Sequence, residues 1–408
     1  MPVKAINIVV DQRFKKSPDG CVWSHTPPTY GFFEAALAVF GEVRIIARTS
    51  EVAVRPVNAK LVNGPRVKVI PVPSYVGPLQ YLRRRTEIAT ALSKIARLDG
   101  AFLLRIPSQT AFLLAHLLEA QGRTYAVELL TDPRDFFAPG VSPNGLAYLF
   151  RPYFCSRSRE LCSRAIAANY ITGAATRAAN PALAAKWVGS VSDVDLPTES
   201  FLTAGPAQLA GPLKIVTVGL LDLLYKGQDL LIRSLARCRN AGLDFRLSIV
   251  GDGRSRERLM NLARSLGVAD RVIITGALGG SAEVRTYLER AQLFVLPSRA
   301  EGIPRALLEA MAARLPAICS NVGAMPDLLD PKWIIPAGSE LALSGKLMEF
   351  AREPEQWEAI GLRNQRIARA FERNQLWPQR IAFFESIRNF SLEAAPLLPR
   401  NAEVFHAA

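Results

Sequence analysis

Short apolar runs alternate with amphipathic stretches along almost the whole chain, and that alternation confines it to layered α/β folds. Runs at Ala5–Val10, Val43–Ile46, Val67–Ile70, Ala101–Leu104, Tyr125–Leu130 and Ala168–Ile171 read as strands buried on both faces. Helical spacing fills the gaps, near Gly31–Phe40, Gln80–Ala96, Thr110–Ala120 and Ala147–Ala165. From Trp187 to Pro212 the texture changes to Gly, Ser, Pro and Thr, the composition of an interdomain connection.

A second alternation follows. Strands are expected at Leu213–Val218, Phe245–Val250, Val272–Ile274, Leu293–Leu296 and Ala317–Ser320. Helices are expected at Gln228–Asn240, Ser255–Leu266, Ala282–Arg290, Arg305–Arg314, Leu341–Ala351, Glu355–Phe371 and Leu376–Phe390. The pattern predicts two doubly wound, Rossmann-like domains facing one another, with ligand at the carboxyl ends of the strands. The expected division is 1–190, a linker over 191–212, a second domain over 213–374, a last helix over 375–390 and a loose tail over 391–408.

The densest cluster of site chemistry is Pro297-Ser-Arg-Ala-Glu301-Gly-Ile-Pro-Arg-Ala-Leu-Leu-Glu309. A strand ends at Leu296, Glu301 lies on the loop, and Pro304 marks a helix start. Free amides at such a start bind anions and hydroxyls. Two carboxylates spaced in this way either grip the hydroxyls of an elongated ligand or are ordinary helix-start residues favoured by the dipole. Spacing alone leaves both open.

The residues around them resemble glycosyltransferase family 4, the group 1 glycosyl transferases. The Glu301/Glu309 element is preceded in the family's order by Thr217-Val-Gly219 with Tyr225-Lys226-Gly227, by Val250-Gly251-Asp252-Gly253, and by Thr275-Gly276. The resemblance covers roughly residues 213–390 and is looser before them. It implies a glycosyltransferase B type fold, a nucleotide-sugar donor (UDP- or GDP-linked) and transfer with retention, without metal or other cofactor. It implies that Glu301 with the amides of Gly302 and Ile303 holds the donor sugar, Glu309 the ribose, and Lys226 the diphosphate. Gly219, Gly251 and Gly276 would lie beside the donor. The family's arginine after the first glycine is here Leu220, so Arg254 or Arg305 is expected to stand in, or activity to be impaired. A nucleotide-sugar epimerase of the same architecture would lack the Glu301/Glu309 pair.

On the first domain, a loop over Asp11–Thr29 is expected to carry Asp19-Gly20 toward the acceptor and donor phosphates, as the family implies. Glu128 and Asp132 follow a strand, and Arg105 follows another, so all three are acceptor-side candidates. Asp132 reads equally as a catalytic group orienting an acceptor hydroxyl and as a turn cap before Pro133.

Charge is unevenly shared. The chain carries a formal +14, of which residues 1–190, with 24 Lys/Arg against 12 Asp/Glu, hold +12. Arg83-Arg84-Arg85 lies on a helix with an apolar face, which either rests on anionic lipid or packs with a solvated arginine side. A nucleic-acid role is disfavoured, since only Tyr75 and Tyr81 accompany the arginines. Five scattered cysteines and three histidines exclude a Cys/His metal cage, and Asp193-Val-Asp195 falls in the linker, away from a strand end. The chain starts without a cleavable leader pattern, and no apolar run reaches the roughly 18 residues of a membrane span. The expectation is a cytoplasmic enzyme, peripheral to the inner membrane, extending a lipid-linked or oligosaccharide acceptor in surface polysaccharide biosynthesis.

Overall fold

The computed structural model describes residues 4–57, 59–137, 141, 147–194, 196–205 and 211–391. Its first sheet comprises β1 (Ala5–Lys16), β2 (Val22–Ser24), β3 (Glu42–Glu51), β4 (Lys60–Leu61), β5 (Val67–Pro73), β6 (Ala101–Ile106), β7 (Ala126–Leu129), β8 (Ala167–Tyr170) and β9 (Trp187–Gly189). Seven of these strands run parallel in the order β5-β3-β1-β6-β7-β8-β9. The second sheet has β10 (Leu213–Val218), β11 (Phe245–Val250), β12 (Val272–Ile274), β13 (Leu293–Leu296), β14 (Ala317–Ser320) and β15 (Ile334–Ile335). Its order is β12-β11-β10-β13-β14-β15, all parallel. In each domain the order reverses beside the first strand, and a crevice opens there because successive loops leave in opposite directions.

The strands form where the sequence concentrates short apolar runs. Every residue of β6, β7, β8, β13 and β14 is buried, as parallel strands under helices on both faces require. Two features depart from the sequence reading. About half of the loop expected over 11–29 is strand: β1 continues past a register shift between Val9 and Arg13 and turns into β2 as an antiparallel hairpin. A single buried Phe14 among charged residues makes no apolar run, so the extension, held by pairing to β2 and β3 and by Phe14 in the core, leaves no local sequence signal. Trp187–Gly189 likewise joins the sheet as an edge strand beside β8, where composition suggested connection.

The connection is pinned to the second domain. Leu196 bridges Glu372, Phe201 is buried, and the Leu202 amide donates to the Ala312 carbonyl oxygen. Residues 195, 206–210 and 392–408, including Asp195 and almost all of the expected tail, lie outside the described residues.

The last helix, Arg373–Phe390, crosses back to the first domain and buries Phe383 and Ile387 in its core. Phe383 packs against Trp187 with ring centroids 5.0 Å apart. This is the doubly wound, two-domain architecture that the alternation predicted, and the return of the last helix to the first domain is what the family resemblance implies. Phe383→Ala should cost about 3–5 kcal/mol through the cavity left behind. The expected result is a lower thermal midpoint with loss of the first domain's cooperative unfolding. An unchanged melt would mean that the helix does not anchor the domains.

Candidate functional site

The second domain's switch point lies between β10 and β13, so the loops after those two strands meet there. Gly251 and Gly227 let the neighbouring backbones approach. A Cβ on Gly251 would sit 2.0 Å from the Gly219 carbonyl oxygen, and Gly251 forms an isolated bridge with Gly276. Gly227 has φ +76 and caps the helix Gln228–Asn240, and a Cβ there would sit 2.1 Å from the Pro297 carbonyl oxygen. Gly219, Gly251 and Gly276, each at or just past the end of its strand, are thus brought together.

Into this crevice the structure places Lys226 and Glu301 as an ion pair, Nζ to Oε1 at 2.7 Å. The Ser298 hydroxyl donates to the same Oε1 at 2.8 Å. Both side chains are largely buried, 14% and 7% exposed, so each charge has lost most of its hydration and depends on the other. Burial pulls the Lys226 ammonium down, but Glu301, with a smaller contribution from Tyr225, outweighs it and leaves the pKa above its usual value. The Lys226 stem lies against Gly219, where a Cβ would be 3.3 Å away.

The surrounding brace was not legible in the sequence. Arg299 binds Asp229 through two contacts of 3.0 Å and donates to the Leu224 carbonyl oxygen, which clamps the Lys226 loop to the Glu301 loop. Ser320 donates to the Ser298 carbonyl oxygen. These partners are separated by up to 75 residues in sequence, and no local motif marks them.

The proposed substitute cations are otherwise engaged. Arg305 pairs with Glu309 at 2.9 Å one helical turn on, and Arg254 is largely exposed with Asp222 at 3.6 Å. Leu220 is 53% exposed, so its side chain supports no core. The helix Arg305–Ala312 has no side-chain cap, and the amides of Gly302 and Ile303 meet no acceptor among the described residues. Glu309 lines a cavity of about 150 Å³ with Pro197, Glu199, Ser200 and the first half of the helix Ser281–Arg290.

The two domains touch beside Glu301. A Cβ on Gly302 would lie 2.3 Å from the Leu130 carbonyl oxygen and 3.2 Å from that of Ile171. Thr131 donates to the Glu301 carbonyl oxygen at 3.2 Å. Asp135 of the first domain accepts from the Gly323 amide at 3.3 Å, and Asp327 of the second accepts from the Ala174 amide at 2.7 Å. Each domain thus supplies a carboxylate to a backbone amide of the other.

The first-domain candidates fare differently. Asp132 caps the short helix Pro133–Phe136, accepting from the Arg134 amide and guanidinium and from Thr176. Burial raises its pKa, but these donors prevail and hold it below the ordinary carboxylate value. Its oxygens are spent on the turn, so the capping reading wins over the catalytic one.

Arg105 lies within β6, not after it. It pairs with Glu128 at 2.5 Å and Asp193 at 2.6 Å, fully inside the domain. Arg105, Glu128 and Asn169 are register neighbours across β6, β7 and β8, and Asn169 donates to Glu128 at 3.0 Å. They form a polar row that ties the connection to the sheet, which explains why Asp193 is no free ligand. Asp19 and Gly20 occupy the β1–β2 turn, where Asp19 accepts from Ser17 and from the Cys21 amide. The crevice beside β1 holds a group that the sequence did not mark. Asp11 pairs with Arg48 at 3.0 Å and accepts from Ser108 at 3.0 Å, bringing β1, β3 and the loop after β6 together.

With this geometry established, comparison with known proteins gives its family context. Residues 212–353 match the glycosyl transferases group 1 family, as the four ordered motifs indicated. Protein CapJ of Staphylococcus aureus is 25% identical over 302 residues, covering 73% of this chain and 74% of CapJ. A putative colanic acid biosynthesis glycosyltransferase, WcaL of Salmonella typhimurium, is 29% identical over 43% of this chain and 46% of WcaL. Among solved structures, sucrose-phosphate synthase from Thermosynechococcus elongatus aligns over 94% of this chain and 99% of its own, with TM-score 0.68 and 16% identity. Anabaena HepE, solved with UDP, aligns over 93% and 99% with TM-score 0.63 and 16% identity. The fold is therefore of the glycosyltransferase B type.

Gly302→Ala forces a methyl group into the Leu130 carbonyl oxygen at the domain contact. Turnover should fall at least about tenfold while nucleoside diphosphate binding to the second domain survives, since the clash perturbs orientation more than composition. Scattering should show a more open particle. Normal turnover would show that catalysis does not need this contact.

Proposed function

We propose that this chain, whose residues 212–353 are those of a group 1 glycosyl transferase, moves a sugar from a nucleotide-sugar donor to a saccharide carried on lipid, with retention of configuration. The observation that carries the reading is the Lys226–Glu301 pair, buried at a topological switch point beside uncapped helix amides. A diphosphate entering the crevice competes with Glu301 for the ammonium. Lys226 then neutralises charge developing on the leaving phosphate, and the released Glu301 carboxylate accepts hydroxyls of the transferred sugar. Glu309 is assigned to the ribose. The reading gives charge neutralisation to Lys226 and the amides of Gly302 and Ile303 instead of a metal ion. The chemistry fits surface polysaccharide assembly, and the similar WcaL is named as a putative glycosyltransferase of colanic acid biosynthesis.

For the acceptor side we assign a lipid surface. No helix among the described residues is long and apolar enough to cross a membrane. The helix Gly77–Ile95 buries nothing before Ile88, leaving Leu79 and Leu82 exposed beside Arg83 and Arg85. Tyr148, Leu149, Phe150 and Tyr153 are exposed at the start of the helix Arg151–Arg164. A Tyr81–Gln109–Tyr153 hydrogen-bond chain, at 3.5 and 3.0 Å, ties the two ends together. Aromatic and aliphatic groups flanked by arginines suit the anionic headgroup region on the cytoplasmic side.

Two experiments test this. A panel of UDP- and GDP-sugars should reveal a donor by hydrolysis or transfer, and Glu301→Gln should cut turnover by about 30- to 900-fold, the equivalent of about 2–4 kcal/mol. Nucleoside diphosphate binding should persist in that variant, because Lys226 loses its competitor. Near-normal kinetics would overturn the site, and nucleotide binding without any turnover in the parent would mark a binding-only protein.

For the membrane, co-sedimentation with anionic vesicles should exceed that with neutral ones and fall with salt. It should fall again in the double variant Arg83→Glu/Arg85→Glu, at about 1 kcal/mol per charge near the surface. Arg84 is left in place because it already bonds Glu87 and the Ser74 carbonyl oxygen. Equal binding to both vesicle types would reject the assignment.

A further inference from the structure

We infer that the cationic face of the β1–β2 extension binds an acid group on the acceptor, a phosphate or a carboxylate, through Arg13, Lys15 and Arg55. The inference rests on the glycosyl-transfer reading and names the class of acceptor that it takes.

Register places this face beside the crevice between the domains. β1 and β6 pair as far as Val9 and Leu104, and Ser108, which opens the next helix, bonds Asp11. β1 runs on from there to Lys16, about 16 Å further at about 3.3 Å per residue. It therefore overruns the carboxyl edge of the sheet, the edge at which Leu130 and Ile171 meet Gly302 of the second domain. β1 lies two strands from β7, a lateral step of roughly 10 Å.

The charges on the extension are not balanced within the chain. Phe14 is buried in the core, so Arg13 and Lys15 project from the opposite face, and both are exposed. Arg13 stands opposite Arg48 in register, an arrangement of like charges that costs stability. The Asp11 carboxylate beside them is already bonded to Arg48 and Ser108. Lys15 donates to the Ser50 hydroxyl at 3.0 Å and stands opposite Trp23 across the hairpin. Arg55 lies over the Trp23 ring, 4.6 Å from its centroid, and donates to the Ala59 carbonyl oxygen at 3.2 Å. Other carboxylates nearby are occupied or misplaced. Asp19 holds the β1–β2 turn, and Glu51 stands opposite Lys16, on the Phe14 side of the strand. Among the described residues, Arg13, Lys15 and Arg55 have no carboxylate within ion-pair distance.

Two guanidinium groups and an ammonium on one exposed face suit a phosphate or carboxylate, which they bind through charge-assisted hydrogen bonds. A neutral saccharide would leave their mutual repulsion unrelieved. An acidic sugar, or the phosphate joining a saccharide to its lipid, would relieve it. The position of the face beside the crevice favours the acceptor over the bilayer as the source of that anion.

Titration calorimetry of the full chain with tetragalacturonate, decyl diphosphate and neutral maltotetraose tests the assignment. At least one acidic probe should bind at least about tenfold tighter than maltotetraose. The double variant Arg13→Gln/Lys15→Gln should lose at least about tenfold of that affinity, and Arg55→Gln should lose part of it. A nucleoside diphosphate should bind both variants as it binds the parent, and Arg83→Gln/Arg85→Gln should leave the acidic probes unaffected. Preference for tetragalacturonate would place the acid on the sugar, and preference for decyl diphosphate would place it in the lipid linkage. If a nucleoside diphosphate binds the parent but neither acidic probe binds better than maltotetraose, this inference alone is overturned. It is overturned equally if the Arg13/Lys15 variant keeps both acidic probes, with or without losing anionic vesicles. Failure of nucleoside diphosphates to bind the parent would overturn the donor-site reading, and the acceptor role of this face with it.

Discussion

The site depends on one arrangement: an ammonium and a carboxylate taken out of water together where two parallel strands send their loops apart. Such a pair is costly to assemble and tolerable only when geometry is tight and further hydrogen bonds satisfy the carboxylate. The 2.7 Å contact between Lys226 and Glu301 and the Ser298 hydroxyl on the same oxygen meet that condition. Holding it in turn requires the glycine contacts, since the loops after β10, β11 and β13 approach to distances that admit no Cβ. The Arg299–Asp229 bidentate pair then fixes the separation of the two loops that carry the charges.

The same logic couples the site to the domain arrangement. Glu301 and Gly302 belong to one loop whose outer side carries the interdomain contact with Leu130, Thr131 and Ile171. Any movement of one domain over the other is therefore transmitted to the carboxylate without an intermediary. The returning helix Arg373–Phe390 and the connection at Leu196 lie side by side and bridge both domains.

The parts of this legible in sequence were those written locally. Doubly wound layers follow from apolar runs, and Glu301, Lys226 and the three glycines stand at strand ends where short motifs mark them. Polar residues inside the first domain were misleading for a physical reason. Arg105 and Glu128 sit at the carboxyl ends of adjacent strands, as cleft residues do, but their register makes them lateral neighbours that neutralise one another beneath Asp193. Sequence spacing cannot distinguish a carboxylate aimed into a crevice from one paired across a sheet. Asp132 illustrates the same ambiguity at shorter range, since a residue before proline at a helix start is already well used as a cap. Arg299 and the Asp11–Arg48–Ser108 cluster depend on contacts distant in sequence and left no local trace.

The leucine at 220 takes its meaning from how the nearby cations are used. Arg299, Arg305 and Arg254 are each set against a carboxylate, and the first of these holds the loops together. Replacing it would cost geometry as well as charge. Lys226 differs from them because its partner is the very carboxylate assigned to the sugar. On the proposed reading, a diphosphate at Lys226 competes with Glu301 for the ammonium, which couples donor arrival to loosening of that carboxylate. A second arginine at 220 would decouple the two by letting the diphosphate bind without drawing Lys226 away. In that reading a single exchangeable cation would tie exposure of Glu301 to arrival of the donor, at the cost of weaker electrostatic attraction for the diphosphate alone.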